Sequence, residues 1–227
     1  MPKAGEGDLV LIFSDRDGTI NADKHYYLGS ANDWRKQLEI LPTVAEGIKR
    51  LNQIPNSKFI ILTGQSGIAL GGEEFKNLTM DRLEEVNSTI VAELRERGAV
   101  VGAYFSCGYV TSAYAEKAKA KGGIVLADWV NDLAECIKPR TGMMQEAAKK
   151  FNTTLAAVKR KFMIGDTMSD IQMGMNGGCE LSILVPSFQT QELDDLEKIR
   201  ALSKDGKTVL IVGDFRGAAE AIAQRIG

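Results

Sequence analysis

The stretch FSDRDGTI, residues 13–20, follows a short apolar run and places Asp15 and Asp17 two positions apart. Gly18 and Thr19 then turn the chain at once. Like charges this close repel each other, so a simple loop rarely has this arrangement. One alternative is that a carboxylate caps a turn beside the strand end. The pair predicts a nucleophile and its acid/base partner, held together by a cation supplied from elsewhere.

Apolar runs like the one before this stretch recur along the chain and alternate with segments of helical spacing. Several runs are continuous, which is typical of strands buried on both faces of a parallel sheet. The alternation favours an α/β fold with a doubly wound, mostly parallel sheet and helices in the crossovers. Strands are expected at residues 9–13, 59–62, 100–105, 162–164, 181–185 and 209–212, and helices at 44–51, 78–97, 143–151, 169–176, 191–202 and 218–226.

Two segments interrupt the alternation, at about residues 21–41 and 107–137. The first is polar and aromatic, and its Tyr27 and Trp34 are expected to pack it onto the body. The second holds a helical segment, a Gly-Gly break and a short apolar run. Both are expected to be small insertions over the carboxyl edge of the sheet, too short for a large cap. Residues 1–227 are therefore expected to form one domain.

The composition narrows the class of protein and its partners. The net charge of −2 and the pI of about 5.6 provide no global basic field for nucleic acid or acidic lipid. No apolar run approaches the roughly 20 residues of a membrane span, and the N-terminal run is too short and wrongly flanked for a signal peptide. We expect a cytoplasmic protein without a membrane partner, and the sequence leaves the oligomeric state open.

The chain contains three cysteines, Cys107, Cys136 and Cys179. Their number and spacing match neither a disulfide framework nor a paired Cys-x-x-Cys metal site. We expect them to stay reduced and to behave as small apolar side chains in a reducing compartment.

Further polar residues stand at or near the ends of predicted elements. Thr63 follows a strand in LTGQSG, Lys138 lies in CIKPRTGM ahead of a helix, and Asp166 and Asp170 follow a strand in GDTMSD. In open parallel sheets, ligands bind outside the carboxyl ends of the strands. Residues that are far apart in sequence are therefore expected to meet with Asp15 at one edge of the sheet.

Each of these residue types has a chemical reason to be there. One carboxylate can attack phosphorus, and a second can protonate the departing oxygen and then take a proton from water. Mg²⁺ prefers carboxylate and phosphate oxygens, so Asp166 and Asp170 are candidates to complete a site with the first pair. Asp170 could instead only cap the helix that follows. The Thr63 hydroxyl, the Gly64 backbone N–H and the Lys138 ammonium are candidates to bind phosphoryl oxygens.

Taken together, these motifs resemble motifs one to four of the haloacid dehalogenase-like (HAD) phosphatase superfamily, in order. The strings DRDGTIN, TGQSGIA, KPRTGM and IGDTMSD are most similar to its histidinol-phosphate and heptose-bisphosphate phosphatase branch. The resemblance covers residues 9 to about 185 and implies a Rossmann-like core. It also implies roles for single residues: Asp15 as nucleophile, Asp17 as general acid/base, Thr63 and Lys138 as phosphate ligands, and Asp166 with the Asp17 backbone carbonyl as Mg²⁺ ligands.

Three departures from that branch leave the substrate open. Gly64 stands where the branch usually has Asn, so a side-chain amide is missing. Many heptose-bisphosphate phosphatases carry a zinc loop, but here only two cysteines remain and the sole histidine, His25, lies elsewhere, so no zinc is expected. Ile137 replaces a common Arg before the motif-three lysine, while an arginine follows two residues after that lysine. Candidates for contact with the substrate are Gln65, Ser66, Arg140 and His25.

The predicted function is a Mg²⁺-dependent phosphomonoesterase that acts on a small phosphorylated metabolite, such as a sugar or polyol phosphate. A polynucleotide 3′-phosphatase is an alternative, because NDWRKQLEILP at residues 32–42 resembles the stretch after motif one in that group. The lack of a clear basic stripe argues against it. An alternative of another class is a non-catalytic phospholigand-binding or regulatory module, against which the intact pair of acids argues.

Overall fold

Strands that alternate with helices make up most of the structure, a computed structural model that describes residues 8–23, 27–192, 195–203 and 208–227. The strands are β1 (Val10–Ser14), β2 (Ser57–Gly64), β3 (Leu70–Gly71), β4 (Ala103–Cys107), β5 (Ile124–Val125), β6 (Arg160–Gly165), β7 (Leu181–Leu184) and β8 (Val209–Ile211). The helices are α1 (Val44–Asn52), α2 (Met80–Glu96), α3 (Ser112–Ala120), α4 (Gly142–Lys150), α5 (Met168–Asn176), α6 (Phe188–Glu192), α7 (Asp195–Leu202) and α8 (Phe215–Ile226).

Six of the strands form one sheet in the order β4-β2-β1-β6-β7-β8, and every neighbouring pair is parallel. The predicted doubly wound parallel sheet is confirmed. The chain builds the sheet outward from β1 in one direction through β2 and β4, and in the other direction through β6, β7 and β8. The order therefore reverses between β1 and β6, and ligands bind at such a switch point in open α/β sheets.

The continuous apolar runs become strands because helices cover both faces of the sheet. All five residues of β1 are buried. Val10 and Ile12 belong to a core cluster with residues of α1, α2 and α8, whereas Leu11 and Phe13 belong to another with residues of α4. Successive side chains of a strand point to opposite faces, so a strand between two helical layers needs apolar residues at every position.

The two insertions are small, as predicted, and no large cap is present in the described ranges. In the first insertion, Trp34 is fully buried, which confirms its predicted packing role. The second insertion contains α3 and β5, and β5 pairs antiparallel with β3. The Gly-Gly break falls between α3 and β5, where Gly122 has a positive φ of 83°.

Two features differ from the sequence prediction. The two-residue strand β3 is too short to produce an alternating pattern, and only its pairing with β5 makes it a strand. The predicted helix at residues 191–202 corresponds to parts of α6 and α7, which lie on either side of residues outside the described ranges. Among the helices described, none combines the length and the apolarity that crossing a bilayer requires.

Candidate active site

Three carboxylates meet at the switch point between β1 and β6. Asp15 directly follows β1, and its backbone N–H donates to the Ile164 carbonyl oxygen of β6 at 2.8 Å. Asp166 directly follows β6, and Asp170 lies in the first turn of α5. One carboxylate oxygen of each lies within 4.8 Å of the others, and all three residues are buried. The structure thus brings together residues about 150 positions apart, as expected for this edge of a parallel sheet.

Lys138 is the cation at this carboxylate cluster. Its ammonium Nζ donates to Oδ1 of Asp15 and, at 2.7 Å, to Oδ1 of Asp170. Asp170 uses its other oxygen to accept hydrogen bonds from the backbone N–H and the hydroxyl of Thr167, which forms a capping box at the start of α5. Both alternatives for Asp170 therefore hold in part, because it caps α5 and also faces the cluster.

The pKa values show that the cluster carries too much negative charge for one lysine. Burial, together with the charges of Asp170 and Asp17, raises the pKa of Asp15 to about 7, even though Lys138 opposes the shift. Burial and the charges of Asp15 and Asp170 raise the pKa of Asp166 well above its ordinary value. Buried carboxylates this close favour either protonation or an additional cation. Three oxygen ligands from acidic side chains fit the preference of Mg²⁺, so the residues present suit that ion.

Asp17 has a different environment from Asp15. Both of its carboxylate oxygens accept hydrogen bonds from the buried Arg16 guanidinium, with Nη2 at 2.7 Å from Oδ2. The side-chain amides of Asn21 and Gln65 donate at 3.0 and 2.6 Å. Although burial favours the neutral form, the Arg16 charge and these hydrogen bonds hold the pKa of Asp17 below its ordinary value. Among the described residues, the three-carboxylate cluster does not include Asp17.

Arg16 and Asn87 hold Asp17 in position through a chain of hydrogen bonds, and the sequence prediction missed both residues. The Arg16 Nη1 donates to Oδ1 of Asn87 on α2 at 2.8 Å, and the Asn87 amide donates to the Ser106 hydroxyl at 2.9 Å. This network links Asp17 to α2 and β4. An arginine between the two acids was the available signal for Arg16, whereas only the folded chain brings Asn87 to it.

Two glycines are required by close approaches at the site. Gly18 has a φ of +80°, and an added Cβ would lie 2.2 Å from Oδ2 of Asp166. At Gly165 an added Cβ would lie 2.2 Å from Cβ of Asp170. Gly64 is the opposite case, since an added Cβ would meet no atom of the described residues within 4 Å. The described residues therefore give no steric reason for a glycine at position 64.

A cavity of about 630 Å³ opens above the carboxylate cluster. The predicted site residues that line it are Asp15, Asp17, Gly64, Gln65, Ser66, Lys138, Asp166 and Asp170.

Two predicted site residues in the described part of the chain, Thr63 and Arg140, do not line the cavity. Thr63 is fully buried, and its hydroxyl accepts a hydrogen bond from the Gln65 amide at 2.8 Å, so Gln65 lies between it and the cavity. The Arg140 guanidinium donates to the Ala134 carbonyl oxygen at 3.1 Å and is not part of the lining. His25 lies outside the described residues.

Several lining residues come from segments without a recognisable motif. Tyr27 lies in the first insertion, where it was expected only to pack, and its ring also contacts Phe75 edge-on at 4.8 Å between centroids. The Tyr114 hydroxyl donates to the Ser66 hydroxyl at 3.2 Å. The other lining residues that the sequence prediction missed include Tyr109, Thr111, Gln172 and Gln189.

Ser187 and Thr190 hold Asp166 from the loop that follows β7 and from α6. The Ser187 hydroxyl donates to Oδ2 of Asp166, and the Thr190 hydroxyl donates to its backbone carbonyl oxygen. These contacts fix the position of Asp166 beside Gly18, and neither residue belongs to a motif that the sequence analysis recognised.

The prediction that all three cysteines stay unpaired is wrong. Cys107 and Cys136 form a disulfide, with Cα atoms 5.5 Å apart, and Cys179 is the free thiol. The two partners are 29 positions apart in the sequence and meet because β4 ends beside the loop that carries Lys138. The expected absence of zinc stays a prediction, and in this structure these two sulfurs are bonded to each other rather than available as thiolates.

Comparisons with known proteins agree with this geometry. A family model described as HAD-hydrolase-like matches residues 135–205, a range that includes Lys138, Asp166 and Asp170. The D-glycero-beta-D-manno-heptose-1,7-bisphosphate 7-phosphatase of Photorhabdus laumondii subsp. laumondii is 30% identical over 169 residues, which cover 72% of this chain and 73% of the relative. The protein of the same name from Mesorhizobium japonicum is 28% identical over 216 residues, which cover 88% and 87%.

A solved structure shares the fold. The crystal structure of D,D-heptose 1,7-bisphosphate phosphatase from B. bronchiseptica, complexed with magnesium and phosphate, matches with a TM-score of 0.66 and 23% identity. The match covers 96% of this chain and 99% of that chain. The shared fold therefore extends over nearly the whole length of both chains.

Proposed function

The chain belongs to the haloacid dehalogenase-like phosphatase superfamily, and we therefore propose that it is a Mg²⁺-dependent phosphomonoesterase. Its proposed substrate is a small phosphorylated metabolite, a sugar or polyol phosphate. The observation that carries the proposal is the convergence of Asp15, Asp166 and Asp170 with Lys138 in one cavity. The curated relatives are named as phosphatases of a heptose bisphosphate, which supports a phosphorylated sugar as the class of substrate.

Asp15 and Asp166 would hold Mg²⁺ together with the Asp17 backbone carbonyl, and Asp170 would complete the site directly or through its partner Lys138. When bound, the ion neutralises the carboxylate cluster and the phosphoryl group, so that an anionic nucleophile and an anionic substrate can approach each other. The crowding that raises the pKa values of Asp15 and Asp166 supports this assignment, since a divalent cation would relieve it.

Asp15 is the proposed nucleophile, because its carboxylate lies in the cluster and lines the cavity. Its oxygen attacks phosphorus, the P–O bond to the metabolite breaks, and an aspartyl-phosphate forms on Asp15. Asp17 gives a proton to the departing oxygen and then takes one from the water that attacks the aspartyl-phosphate. Because its surroundings favour the ionised form of Asp17 in the free chain, its first proton has to come from solvent or from a monoanionic phosphate ester as the substrate binds.

Lys138 is the proposed ligand of the phosphoryl oxygens, together with the backbone N–H of Gly64. Lys138 already lies against Asp15, and its pKa is raised by the charges of Asp15 and Asp170, which outweigh the effect of burial. It therefore remains charged at neutral pH. Thr63 takes the same role only if the Gln65 amide, which now donates to its hydroxyl, moves towards the substrate.

The leaving group is proposed to carry several hydroxyl groups. The lining of the cavity also offers the hydroxyls of Tyr114 and Ser66 and the amides of Gln65 and Gln189. Such groups donate and accept hydrogen bonds with a sugar or polyol, and tyrosine rings pack against its apolar edges. Lys138 is the one basic side chain among the described lining residues. The lining therefore offers no basic stripe for a polynucleotide backbone and does not favour the polynucleotide alternative.

Domain organisation and location belong to the same proposal. We propose that residues 1–227 form one HAD-like domain, which the continuous sheet supports. A cytoplasmic location is supported by the low cysteine count and the free thiol of Cys179. The Cys107–Cys136 disulfide means that this location requires the bond to be stable, or to form reversibly, in a reducing environment.

The test is a phosphatase screen of the full chain in Mg²⁺ with sugar phosphates, polyol phosphates and 3′-phosphorylated oligonucleotides, followed by Asp15→Asn. We expect turnover of a sugar or polyol phosphate and its loss in Asp15→Asn, since an amide oxygen is a poor nucleophile. Asp33→Asn is the matched control, because the Asp33 side chain is 61% exposed. Near-normal turnover in Asp15→Asn would refute the nucleophile assignment, and preference for the oligonucleotide would refute the substrate class.

A further inference from the structure

The Cys107–Cys136 disulfide joins the two ends of the segment that forms one wall of the cavity. These joined ends are the base of the wall. Cys107 ends β4, lines the cavity and is 3% exposed. Its carbonyl oxygen accepts a hydrogen bond from the Gln65 backbone N–H at 2.7 Å. Cys136 is half-buried and precedes Lys138 by two residues. The bond thus joins the β2–β4 edge of the site to the loop that carries the phosphoryl-binding lysine.

This lysine loop, residues 134–141, has no regular secondary structure of its own. Its backbone hydrogen bonds, such as Gly142 N–H to the Glu135 carbonyl at 2.9 Å, are local. Besides the ion pairs of Lys138 itself, the described contacts to the rest of the body include the amide of Asn176, which donates to the Pro139 carbonyl oxygen at 3.0 Å. Ile137 also packs against a core cluster, and the disulfide at Cys136 is the covalent anchor of the loop next to Lys138.

The chain between the two cysteines forms the wall itself. It contains Tyr109, Thr111 and Tyr114, all of which line the cavity. Other contacts also hold this wall, such as the hydrogen bond from Leu126 N–H to the Ala69 carbonyl at 2.9 Å and the pairing of β3 with β5. Loss of the disulfide would therefore loosen the base of the wall without detaching it.

We propose that Cys107 and Cys136 form a reversible redox site that positions Lys138 and the tyrosine-bearing wall, so that the disulfide form is the more active phosphatase. This inference rests on the proposed function, because Lys138 and the wall matter only where a phosphate ester binds. The cysteines themselves touch no reacting atom and act through the residues that they position. A small displacement of a positioned charge lowers turnover strongly, which is why a loop anchor can control the rate.

The redox step is thiol–disulfide exchange with a small dithiol. One thiolate of the dithiol attacks the sulfur of Cys136, the more exposed of the two, and the sulfur of Cys107 leaves. The second thiolate of the dithiol then attacks its own mixed disulfide and releases Cys136. The dithiol is oxidised to a cyclic disulfide, and two protons from solvent and reductant reach the two cysteine thiols. Burial raises the pKa of Cys179 to about 12, so its thiol does not compete in the exchange.

The experiment compares the full chain in Mg²⁺ after air oxidation and after treatment with excess dithiothreitol. Thiol counts on the denatured protein should give one free thiol in the oxidised form and three in the reduced form. With a sugar phosphate that the oxidised form hydrolyses, we expect kcat/KM to fall about tenfold on reduction, with kcat and KM both affected, and to recover on reoxidation. If the disulfide were purely structural, its reduction would lower the melting temperature but leave both kinetic constants unchanged at 25 °C.

Two variants separate the redox site from general effects of the reductant. Cys136→Ala should have the kinetic constants of the reduced form and should not respond to dithiothreitol. Cys179→Ala is the matched control and should respond as the wild type does, because Cys179 is the free thiol outside the disulfide. If Cys136→Ala does not fold, the oxidised and reduced wild-type forms still decide the question.

The outcomes distinguish this inference from the proposed function. Equal kinetic constants in the two redox forms, or three free thiols after air oxidation, would overturn the inference and leave the phosphatase assignment intact. A response of Cys136→Ala to dithiothreitol equal to that of the wild type would also overturn it. No turnover of any phosphate monoester in either form would overturn the proposed function, and the inference with it.

Discussion

Asp15 and Asp17 are two positions apart, yet their surroundings shift their pKa values in opposite directions. Asp15 lies among buried carboxylates, whereas Asp17 lies against the Arg16 guanidinium and two side-chain amides. A pair of acids whose pKa values are separated in this way can divide the roles of nucleophile and proton carrier. Residue identity alone does not set these roles, because each depends on neighbours from other elements.

Replacing Arg16 should reduce turnover more than it weakens substrate binding. In Arg16→Lys the charge is kept, but the two-point contact with Asp17 and the bond to Asn87 are lost, so Asp17 is less well oriented. We expect kcat to fall about tenfold, with a smaller change in KM. Arg35→Lys is the control, because Arg35 pairs with Glu85 and is 59% exposed. Steady-state kinetics would contradict the prediction if both variants resembled the wild type.

Gly64 should influence which leaving groups the cavity accepts. A Cβ added at Gly64 would meet no described atom within 4 Å, so we expect Gly64→Asn to fold with a urea midpoint at least equal to that of the wild type. The new side chain would extend into the cavity, and we expect the ratio of kcat/KM for a hexose phosphate to that for glycerol phosphate to fall by about fivefold. An unchanged ratio would show that the leaving group does not lie over Gly64.

The helices and strands differ in how far the local sequence pattern specifies them and how far tertiary contacts do. Most strands of the main sheet were predictable, because burial on both faces demands continuous apolar runs. The partly exposed strand β4 lies at Ala103–Cys107 rather than at the expected residues 100–105. The segments that bring tyrosines to the cavity were predicted only as insertions. Their short elements, such as β3 and β5, exist through pairing with each other, and two-residue strands carry no periodicity of their own.

The disulfide should contribute measurably to the stability of the chain. It closes a loop with a sequence separation of 29 residues, and a chain-entropy estimate for such a loop is about 3–4 kcal/mol in the free energy of unfolding. We expect urea unfolding in dithiothreitol to show a lower midpoint, and Cys179→Ala to show the same difference between oxidised and reduced forms. Superimposable unfolding curves would mean that the unfolded chain already keeps the two cysteines close without the bond.

At the scale of the whole molecule, the sheet order determines where the chemistry can occur. The reversal between β1 and β6 leaves a crevice at their carboxyl ends, and Asp15 and Asp166 are the first residues beyond those ends. The carboxylate cluster concentrates negative charge in a buried site. Metal binding and protonation of these carboxylates are therefore both coupled to the folding of the entire chain.

The stability of the metal-free chain should therefore decrease from pH 5.5 to pH 8. The pKa of Asp15 rises from 3.8 to about 7 on folding, and that of Asp166 also rises, so the folded chain binds protons more tightly than the unfolded chain. This contribution is complete below about pH 4 and is lost as the pH rises through about 7. The lowered pKa of Asp17 acts only as the pH falls below about 4, outside this comparison.

Mg²⁺ should reverse this trend, because it binds deprotonated carboxylates and stabilises the folded chain by mass action. We expect melting temperatures in a chelator to be higher at pH 5.5 than at pH 8, and the increase caused by Mg²⁺ to be larger at pH 8. The chelator should also abolish turnover without unfolding the chain. The same Mg²⁺-induced increase at both pH values would argue that Asp15 and Asp166 do not bind the ion.

Local sequence patterns were sufficient to predict the parallel α/β fold, the motifs at the strand ends and, through them, the superfamily. These features follow from local information, since apolar runs, turns and short motifs are encoded by neighbouring residues. The bond between Cys107 and Cys136, the hydrogen bond from Arg16 to Asn87 and the hydrogen bond from Gln65 to Thr63 are evident only in the folded chain. These contacts join elements through the packing of side chains, and no local pattern in the chain specifies which side chains will meet.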